Sequence, residues 1–336
     1  MASRMSDPGS TVLTDTRRLT PDPEGIAAAA AILRTGGLVA FPTETVYGLG
    51  GDATDPAAVA AIYAAKARPR FNPLIAHVHD LVSAEREGVF ADEARRLAEA
   101  FWPGPLTLVV PAAATIHVCD LARAGLPSVA LRVPASPAAR ALLAAFGKPL
   151  AGPSANRSGR VSPTRASHVL DDLGGRIAAV LDAGDTPVGV ESTVVACLGD
   201  RTRLLRPGGV TRERLRAVLG YDPEGPGAAA AEAPVGPGLL ASHYAPDAAV
   251  RLDATRIAPG EAVLLFGAFV PGGLDAAHAS LNLSPAGDPA EAAARLFGAL
   301  RELDATGAPT IAVVPIAAEG LGEAILDRLG RAAAPR

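Results

Sequence analysis

The feature that most constrains the fold is a repeated change of hydrophobic period between Pro23 and Val78. An alanine-rich segment, Pro23–Arg34, predicts a helix, and two glycines follow it. A short apolar run, Leu38–Phe41, has the length of a buried strand. A glycine-rich segment then predicts a loop, an Asp-Pro pair caps a second helix at Ala57–Ala65, and Pro73–Val78 resumes as a strand. This alternation predicts an α/β fold with a parallel or mixed sheet.

The alternation continues along the chain and predicts two domains. It includes one charged helix over Glu85–Phe101 and a last helix of the first domain at Arg212–Leu219. Proline, glycine and alanine dominate Tyr221–Gly238, which predicts a linker, and a second, smaller α/β pattern starts at Ala249. Two domains also suit a length of 336 residues. The predicted organisation is a flexible N-terminus (1–20), a first domain (21–219), a linker (220–248) and a C-terminal α/β domain (249–332).

Composition excludes several classes of function. No apolar run reaches the roughly 20 residues of a membrane helix, and the polar first 20 residues lack the apolar core of a signal peptide. The two cysteines show no disulfide or metal-binding pattern, which suits a cytoplasmic enzyme. A net charge of −4 argues against strong direct binding of nucleic acid.

The stretch Lys66–His77 carries the first functional signal. Of the 31 basic residues only two are lysines, and one of them, Lys66, stands two positions before Arg68. An ammonium and a guanidinium differ in shape and hydrogen bonding, so the pair predicts an anion held from two sides, most often a phosphate. The alternative is a solvated helix end that places cations against the helix dipole.

Two further motifs in this region could indicate a dinucleotide site and a metal site, but the signal for each is weak. Gly48-x-Gly50-x-x-Ala53 imitates a dinucleotide fingerprint, but a strand does not end directly at the first glycine and no helix opens within the motif. Glycines required by a tight loop explain it better. His77 and His79 share one face of a predicted strand, yet further metal ligands at a recognisable spacing are missing.

Isolated arginines and small hydroxyl residues mark other parts of the first domain. Arg132 lies among apolar residues of a predicted strand and needs a carboxylate, either from another strand or from a ligand. Arg206 is similarly isolated. The loop that contains Ser154, Asn156 and Ser162 can donate hydrogen bonds into a pocket, although an ordinary capping loop would have the same composition.

These motifs, taken in order, resemble one family. They are FPTETVYGLG (41–50), KARPRFNPLIAH (66–77), FWPGPLTLVV (101–110), VALRVP (129–134), PLAGPSANRSGRVSPT (149–164), GVESTVV (189–195), LLRPGG (204–209) and SHYAP (242–246). The combination resembles the two-domain L-threonylcarbamoyl-AMP synthases over about residues 20–250. The resemblance implies a YrdC-like twisted mixed sheet with helices, followed by a smaller Rossmann-like α/β domain, which matches here only in size, position and class.

The family makes threonylcarbamoyl-AMP and pyrophosphate from L-threonine, bicarbonate and ATP. The resemblance therefore implies a nucleotidyltransferase whose product passes to the machinery that attaches the threonylcarbamoyl group to tRNA. Mg²⁺ would accompany ATP, and no tightly bound cofactor or resident metal is expected. No P-loop is present in the sequence, so side chains and loops must hold the phosphates.

The resemblance also assigns site residues. The residues implied for L-threonine are Thr43, His77, Arg132, Ala151 through its backbone, and Ser192. The residues implied for ATP are Lys66, Arg68, Arg70, Ser128, Ser154, Asn156, Ser162, Arg206, His243 and Tyr244. Ser128 stands where some relatives have threonine, and the hydroxyl is retained. His243 or Tyr244 would reach back over the ATP, which predicts that the linker acts as a lid.

Two other functions suit the same domain type. A noncatalytic RNA-binding module would need stacking aromatics among its basic residues, whereas this chain is 4% aromatic and net acidic. Carbamoyl transfer to another acceptor, as in hydrogenase-maturation relatives, would need zinc-finger and acylphosphatase-like segments that the sequence lacks.

Overall fold

The computed structural model describes residues 15–69, 72–199, 201–225 and 243–335. Within these ranges ten strands form one mixed sheet and four strands form a second, fully parallel sheet. Arg70 and most of the predicted linker therefore lie outside the described residues. No described helix is both long enough and apolar enough to span a membrane.

The larger sheet has the strand order β1-β8-β2-β3-β7-β4-β6-β5-β9-β10. Its strands are β1 (Arg17–Leu19), β2 (Val39–Pro42), β3 (Tyr47–Asp52), β4 (Ile75–His77), β5 (Leu106–Pro111), β6 (Ser128–Arg132), β7 (Leu150–Ala151), β8 (Ala179–Leu181), β9 (Thr193–Ala196) and β10 (Arg203–Arg206). The strands of the smaller sheet are β11 (Ala249–Arg251), β12 (Ala262–Leu265), β13 (Ala279–Asn282) and β14 (Thr310–Val313).

The described helices flank both sheets. They are α1 (Pro23–Arg34), α2 (Pro56–Lys66), α3 (Leu81–Glu87), α4 (Asp92–Phe101), α5 (Pro137–Phe146), α6 (Ala166–Leu173), α7 (Arg212–Leu219), α8 (Pro289–Asp304) and α9 (Leu321–Ala333). Local sequence explains several of the starts. Asp22, Asp55 and Asp288 each accept a hydrogen bond from a first-turn amide, and a proline follows each of them.

Both faces of the larger sheet are covered, as alternate residues of β2 show. Val39 and Phe41 pack into a cluster with α1 and α5. Leu38 and Ala40 pack into a second cluster, to which α2, α4, α6 and α7 contribute. Successive side chains of a strand point to opposite faces, so this sheet is buried on two sides. Its functional groups must therefore come from loops and strand ends.

The glycine-rich segment after β2 is a strand, and the predicted loop is wrong at this place. β3 pairs antiparallel with β2, with Gly48 opposite Phe41. A Cβ atom on Gly48 would lie 3.1 Å from the Phe41 ring, and one on Gly50 would lie 2.9 Å from the backbone oxygen of Val39. Close packing requires these glycines, so they form neither a tight loop nor a dinucleotide-binding turn.

Two other predicted elements differ from the structure. The single helix predicted over Glu85–Phe101 is divided into α3 and α4 because the chain leaves the helix at Gly88 to bridge Ala112 beside β5. A Cβ on Gly88 would lie 2.4 Å from a Val110 methyl, so this close approach requires glycine. The N-terminus predicted to be flexible over residues 1–20 contains β1, which pairs with β8 at the sheet edge.

The C-terminal sheet packs against loops of the first one. Its hydrophobic core, built around α8 and α9, also includes Val46, Val161, Val190 and Tyr244 from the preceding part of the chain. The start of the predicted linker is packed as well, because the Tyr221 hydroxyl donates to Glu93. Exact domain bounds stay a prediction, but the two sheets share buried apolar contacts.

Candidate functional site

One cavity collects most of the residues singled out above. It spans about 680 Å³ of space between atoms, part of it open to solvent. Its walls come from the loop after β2, the loop before β4, the loop after β7, the entry to β9, the end of β10 and residues 243–244. All these segments are loops or strand ends at one place on the larger sheet.

The loop after β2 is held by its own hydroxyls. The Thr43 hydroxyl donates to the backbone oxygen of Val46 at 2.6 Å and accepts from the backbone amides of Thr45 and Val46 at 3.2 Å. The hydroxyls of Thr43 and Thr45 are 2.8 Å apart. This network fixes a tight turn that presents both hydroxyls at the cavity.

Arg132 finds its carboxylate partner in the same turn. Its Nη2 donates to Glu44 Oε1 at 2.7 Å and its Nη1 donates to the Thr45 hydroxyl at 3.0 Å. Its Nε donates to the backbone oxygen of Gly104 at 3.2 Å. These three bonds leave one N–H on each terminal nitrogen, so the guanidinium can still accommodate a ligand carboxylate.

His77 lies beside Arg132, because β4 and β6 pair in parallel with these two residues in register. Burial, followed by the Arg132 charge, lowers the pKa of His77 to about 3. Its Nδ1 is buried with no hydrogen-bond partner among the described residues. A Cβ on Gly152 would lie 2.8 Å from that nitrogen, so glycine allows the β7 loop to approach the imidazole. A neutral imidazole with a free nitrogen suits ligand recognition.

Arg206 and Ser192 form the opposite end of the hydroxyl network. Arg206 Nη2 donates to the Ser192 backbone oxygen at 2.9 Å and to its hydroxyl at 3.3 Å. The Ser192 and Thr107 hydroxyls are 2.8 Å apart. Burial is the main cause of the lowered pKa of Arg206, and no carboxylate within the described residues forms an ion pair with it.

Arg68 is a half-buried arginine without a carboxylate partner in the described part of the chain. Its single described hydrogen bond is a long one, 3.5 Å, from Nη2 to the Pro73 backbone oxygen, and its Nε has no described partner. Burial lowers its pKa to about 10. A buried charge is unfavourable unless it is paired, so Arg68 and Arg206 together indicate a site for an anion.

Lys66 does not line the cavity. Its ammonium donates to the backbone oxygens of Ser154 and Asn156, each at 2.5 Å, and burial lowers its pKa well below the ordinary value. It therefore fixes the loop after β7, of which Ser154 faces the cavity. The prediction that Lys66 holds a phosphate stays a prediction.

His243 and Tyr244 line the cavity beside Arg68 and Arg206. Burial, followed by the Arg68 charge, lowers the pKa of His243 to about 3, and its Nδ1 has no partner among the described residues. The two rings meet edge to face with centroids 4.2 Å apart. Residues 226–242, which hold most of the predicted lid, lie outside the described residues, so its movement stays a prediction.

Nine predicted site residues line this cavity: Thr43, Arg68, His77, Arg132, Ser154, Ser192, Arg206, His243 and Tyr244. Five others lie outside its lining: Lys66, Ser128, Ala151, Asn156 and Ser162. Ala151 precedes Gly152 of the wall, and Asn156 donates to the backbone oxygen of Arg160 within its own loop. Ser128 begins β6, about 13 Å along the strand from Arg132. The assigned roles of these residues stay predictions.

Sequence reasoning missed several residues of the site. Asn72, with a buried and unpartnered Oδ1, lines the cavity together with Thr45 and Glu191. Glu191 accepts from the Ser162 hydroxyl at 2.5 Å and from Arg328 of α9 at 2.7 Å. Burial raises its pKa, but the Arg328 and Arg206 charges outweigh burial and bring it to about 2. Asn72 lies in the motif 66–77 and Glu191 in the motif 189–195, and their place in these motifs was the sequence signal that they belong to the site.

The donor set does not favour a metal held by protein side chains. No group of three potential His, Cys, Asp or Glu ligands comes together in the described residues. Both oxygens of Glu191 are already engaged, and His79 contacts Asp80 instead of turning to His77. Any Mg²⁺ would therefore be held chiefly by nucleotide phosphates.

Family models match both parts of the chain. A model described as "Telomere recombination" matches residues 31–208, and one described as "Threonylcarbamoyl-AMP synthase, C-terminal domain" matches residues 210–334. The first matched range contains the ten-stranded sheet except β1, and the second contains the whole four-stranded sheet.

Relatives match over nearly the whole length. A threonylcarbamoyl-AMP synthase of Bacillus subtilis is 41% identical over 94% of this chain and 95% of its own. One from Pyrococcus abyssi is 40% identical over 93% of this chain and 94% of its own. The crystal structure of P. abyssi Sua5 complexed with L-threonine superimposes with a TM-score of 0.85 at 37% identity, covering 95% of this chain and 98% of that one. The resemblance in the sequence motifs is confirmed, and this chain belongs to the two-domain threonylcarbamoyl-AMP synthase family.

Proposed function

We propose that this protein is an L-threonylcarbamoyl-AMP synthase, which converts L-threonine, bicarbonate and ATP into threonylcarbamoyl-AMP and pyrophosphate. The observation that carries the proposal is a pair of arginines, the half-buried Arg68 and the buried Arg206, that face one cavity without a carboxylate ion-pair partner in the described residues. ATP phosphates would supply the missing negative charge. Family membership and a relative complexed with L-threonine support the same assignment.

L-Threonine fits the part of the cavity around Arg132. The two remaining N–H groups of the guanidinium suit the amino-acid carboxylate, because planar forks bind carboxylates through two bonds. Thr43 and Ser192 offer hydroxyls, and the neutral His77 offers its free nitrogen. The backbone of Ala151 stays a proposed contact, since the side-chain wall here is formed by the following glycine.

The nucleotide fits the part around Arg68 and Arg206. Both guanidinium groups would contact phosphate oxygens, and Ser154 would add a hydroxyl donor. Lys66 would act through the loop that it holds by two carbonyl oxygens. The rings of His243 and Tyr244 would cover the nucleotide, while contacts from Arg70, Ser128, Asn156 and Ser162 remain part of the proposal.

The reaction requires positioning more than covalent catalysis. The threonine amine adds to bicarbonate, with loss of water, to give a carbamate. A carbamate oxygen then forms a bond to the α-phosphorus of ATP, and the bond from that phosphorus to the bridging oxygen breaks to release pyrophosphate. Two anions must meet in this step, and the guanidinium groups of Arg68 and Arg206 would reduce their repulsion. Mg²⁺ on the phosphates would neutralise further charge when bound.

The test is ATP-dependent release of pyrophosphate with each amino acid in turn, with and without bicarbonate. We expect release to require both L-threonine and bicarbonate. Serine should work roughly fivefold less well, because burying one methyl group contributes only about 1 kcal/mol. Equal rates with glycine, or rates indifferent to bicarbonate, would contradict the assignment.

The proposal extends to the fate of the product. Threonylcarbamoyl-AMP is a reactive mixed anhydride, so an acceptor must take it soon after release. We propose that cytoplasmic machinery for threonylcarbamoyl transfer to tRNA adenosine consumes it. A noncatalytic RNA-binding role fits less well, because the chain is net acidic and only 4% aromatic, and the cations Arg132 and Arg206 are buried in the cavity.

A further inference from the structure

Arg328 is a fully buried side chain that the proposed reaction leaves without a role. It lies on α9, in the C-terminal sheet region, and its relative exposure is 0%. Its Nε donates to Glu191 at 2.7 Å and its Nη1 donates to Asp327 at 2.6 Å. Its guanidinium carbon lies 5.3 Å from the centre of the Tyr244 ring. One side chain thus contacts two segments of the cavity wall that are 53 positions apart in sequence.

The Glu191 contact fixes the segment that carries Ser192. The second carboxylate oxygen of Glu191 accepts from the Ser162 hydroxyl, so the carboxylate is held from two directions. Gly189 has a positive φ of 74°, and a Cβ there would lie 2.2 Å from the backbone oxygen of Ala293 in α8. Segment 189–192 is therefore pressed against one C-terminal helix and bonded to another. The position of Ser192, and of the Arg206 bonded to it, depends on those helices.

The Tyr244 contact fixes the segment that carries His243. Tyr244 adopts a φ of +64°, a left-handed conformation that is unfavourable for a residue with a large side chain. Its ring is held between Phe297 of α8, stacked at 5.5 Å, and Arg328. Packing from the C-terminal region therefore maintains this backbone conformation, and it also keeps the neighbouring His243 in the cavity wall.

We propose that Arg328 is a positioning residue that couples the two cavity segments, 189–192 and 243–246, to each other through the C-terminal region. A simple buried ion pair could be replaced by apolar groups with little loss. A guanidinium that satisfies a carboxylate through its edge and an aromatic ring through its face cannot be replaced in this way. The kinetic part of this inference rests on the proposed function, whereas the structural part does not.

The structural test is hydrogen–deuterium exchange on the full-length protein without ligands. Arg328→Met should raise exchange in both segments, and Arg328→Lys should raise it less, since a lysine keeps the charge but not the fork. The matched control is Glu323→Gln, which removes the other described α9 ion pair to the first region, with Arg212 of α7 at 2.7 Å. That control should leave both segments unchanged. Unchanged exchange in either segment of the Arg328 variants, or an equal increase in the control, would overturn the proposal.

The kinetic test is the pH dependence of pyrophosphate release. The charged or titratable groups around Glu191 are Arg328, Arg206, His243 and Tyr244. Arg328 is the charge that lowers the pKa of Glu191 most strongly, so without it the carboxyl becomes protonated at higher pH. Arg328→Met should reduce kcat/KM about 10²-fold and shift the acid limb of the profile upward. Glu191→Gln combined with Arg328→Met should remove that shifted limb.

These readouts separate the inference from the proposed function. If the wild-type protein releases no pyrophosphate with L-threonine and bicarbonate, the proposed function fails while the exchange experiment still decides the coupling. If the wild-type protein is active and Arg328→Met lowers the rate without moving the acid limb, the arginine has only a general structural role and the inference fails. If Arg328→Met does not fold, Arg328→Lys and the charge-neutral double variant supply the same comparison.

Discussion

The arginines on two walls of the cavity differ in whether a carboxylate of the protein pairs with them. On the wall formed by β6 and the loop after β2, Arg132 pairs with Glu44 at 2.7 Å and also contacts Thr45 and Gly104. On the wall formed by the loop before β4 and by β10, Arg68 and Arg206 contact only carbonyl and hydroxyl groups among the described residues. Arg132 forms an ion pair with a carboxylate in the free protein, whereas the other two form none within the described residues.

This difference in pairing indicates which ligand each wall can bind. A zwitterionic amino acid brings one carboxylate and one ammonium, so a neutralised arginine with two free N–H groups is sufficient for it. A nucleoside triphosphate brings several negative charges, and unpaired cations are required to balance them. Binding of the nucleotide should therefore stabilise the folded protein, because its negative charges balance arginines that are unpaired in the free state.

The largest expected effects come from removing these arginines one at a time. Arg68→Met and Arg206→Met should each lower the rate of pyrophosphate release about 10²–10³-fold, because each removes a cation that faces the transferring phosphate. Their free energies of unfolding should be unchanged or increased, since an unpaired buried charge is lost. Arg132→Met should instead destabilise the protein by about 3–5 kcal/mol, because Glu44 is left buried without its cation and keeps only the backbone amide of Ala135 as a described donor. Chemical denaturation of the three variants measures the contrast, and equal stability losses in all three would contradict it.

Substitution of Lys66 tests the role of the loop after β7, which this lysine holds through two backbone oxygens. Lys66→Arg and Lys66→Met should both lower the rate roughly 10²-fold, because methionine has no donor for the backbone oxygens of Ser154 and Asn156, and the wide planar guanidinium does not fit the position of a compact ammonium that is only 1% exposed. Lys148→Arg is the matched control, since that lysine is half exposed and pairs with Asp52 away from the cavity. A Lys66→Arg variant with nearly full activity would show that position 66 needs only a positive charge.

The effect of acid on stability should be smaller than the effects of these substitutions, and it depends on two histidines. The folded pKa values of His77 and His243, about 3 for each, lie below the ordinary value of 6.5. The unfolded chain therefore binds more protons between pH 6.5 and pH 3, and stability falls as the pH decreases through that range. Each histidine should contribute on the order of 1–2 kcal/mol of loss between pH 7 and pH 5. Denaturation of His243→Gln at both pH values should show a smaller loss than the wild type. An equal loss would indicate that His243 is protonated in the folded protein.

The sequence predicted the parts of the structure that depend on local signals. The bounds of α1 and α7 agree because an acidic or hydroxyl cap precedes each of them and a regular apolar pattern follows. β3 was missed because its glycines are usual in loops, and only the neighbouring Phe41 ring explains them. Arg132 was expected to need a carboxylate, but Glu44 could not be identified because 88 positions separate the two residues.

The same limit applies to the part of the site that involves the C-terminal region. Glu191 and Arg328 are 137 positions apart, and no period or spacing connects them. The sequence could indicate which motifs carry chemistry, because single unusual residues such as Lys66 and Arg206 stand out from their surroundings. It could not indicate which of these cations pair with a carboxylate of the protein, and this pairing is what distinguishes the two walls.

Calorimetric titration of ATP and of L-threonine into the wild type, Arg206→Met and Arg132→Met tests the central claim most directly. We expect Arg206→Met to lose ATP affinity by about 10²-fold while it binds L-threonine nearly as the wild type does, since a charged hydrogen bond contributes about 1.5–3 kcal/mol. Arg132→Met should show the reverse pattern. Equal losses of both affinities in both variants would contradict the division of the cavity into a neutralised wall for the amino acid and an unpaired wall for the nucleotide.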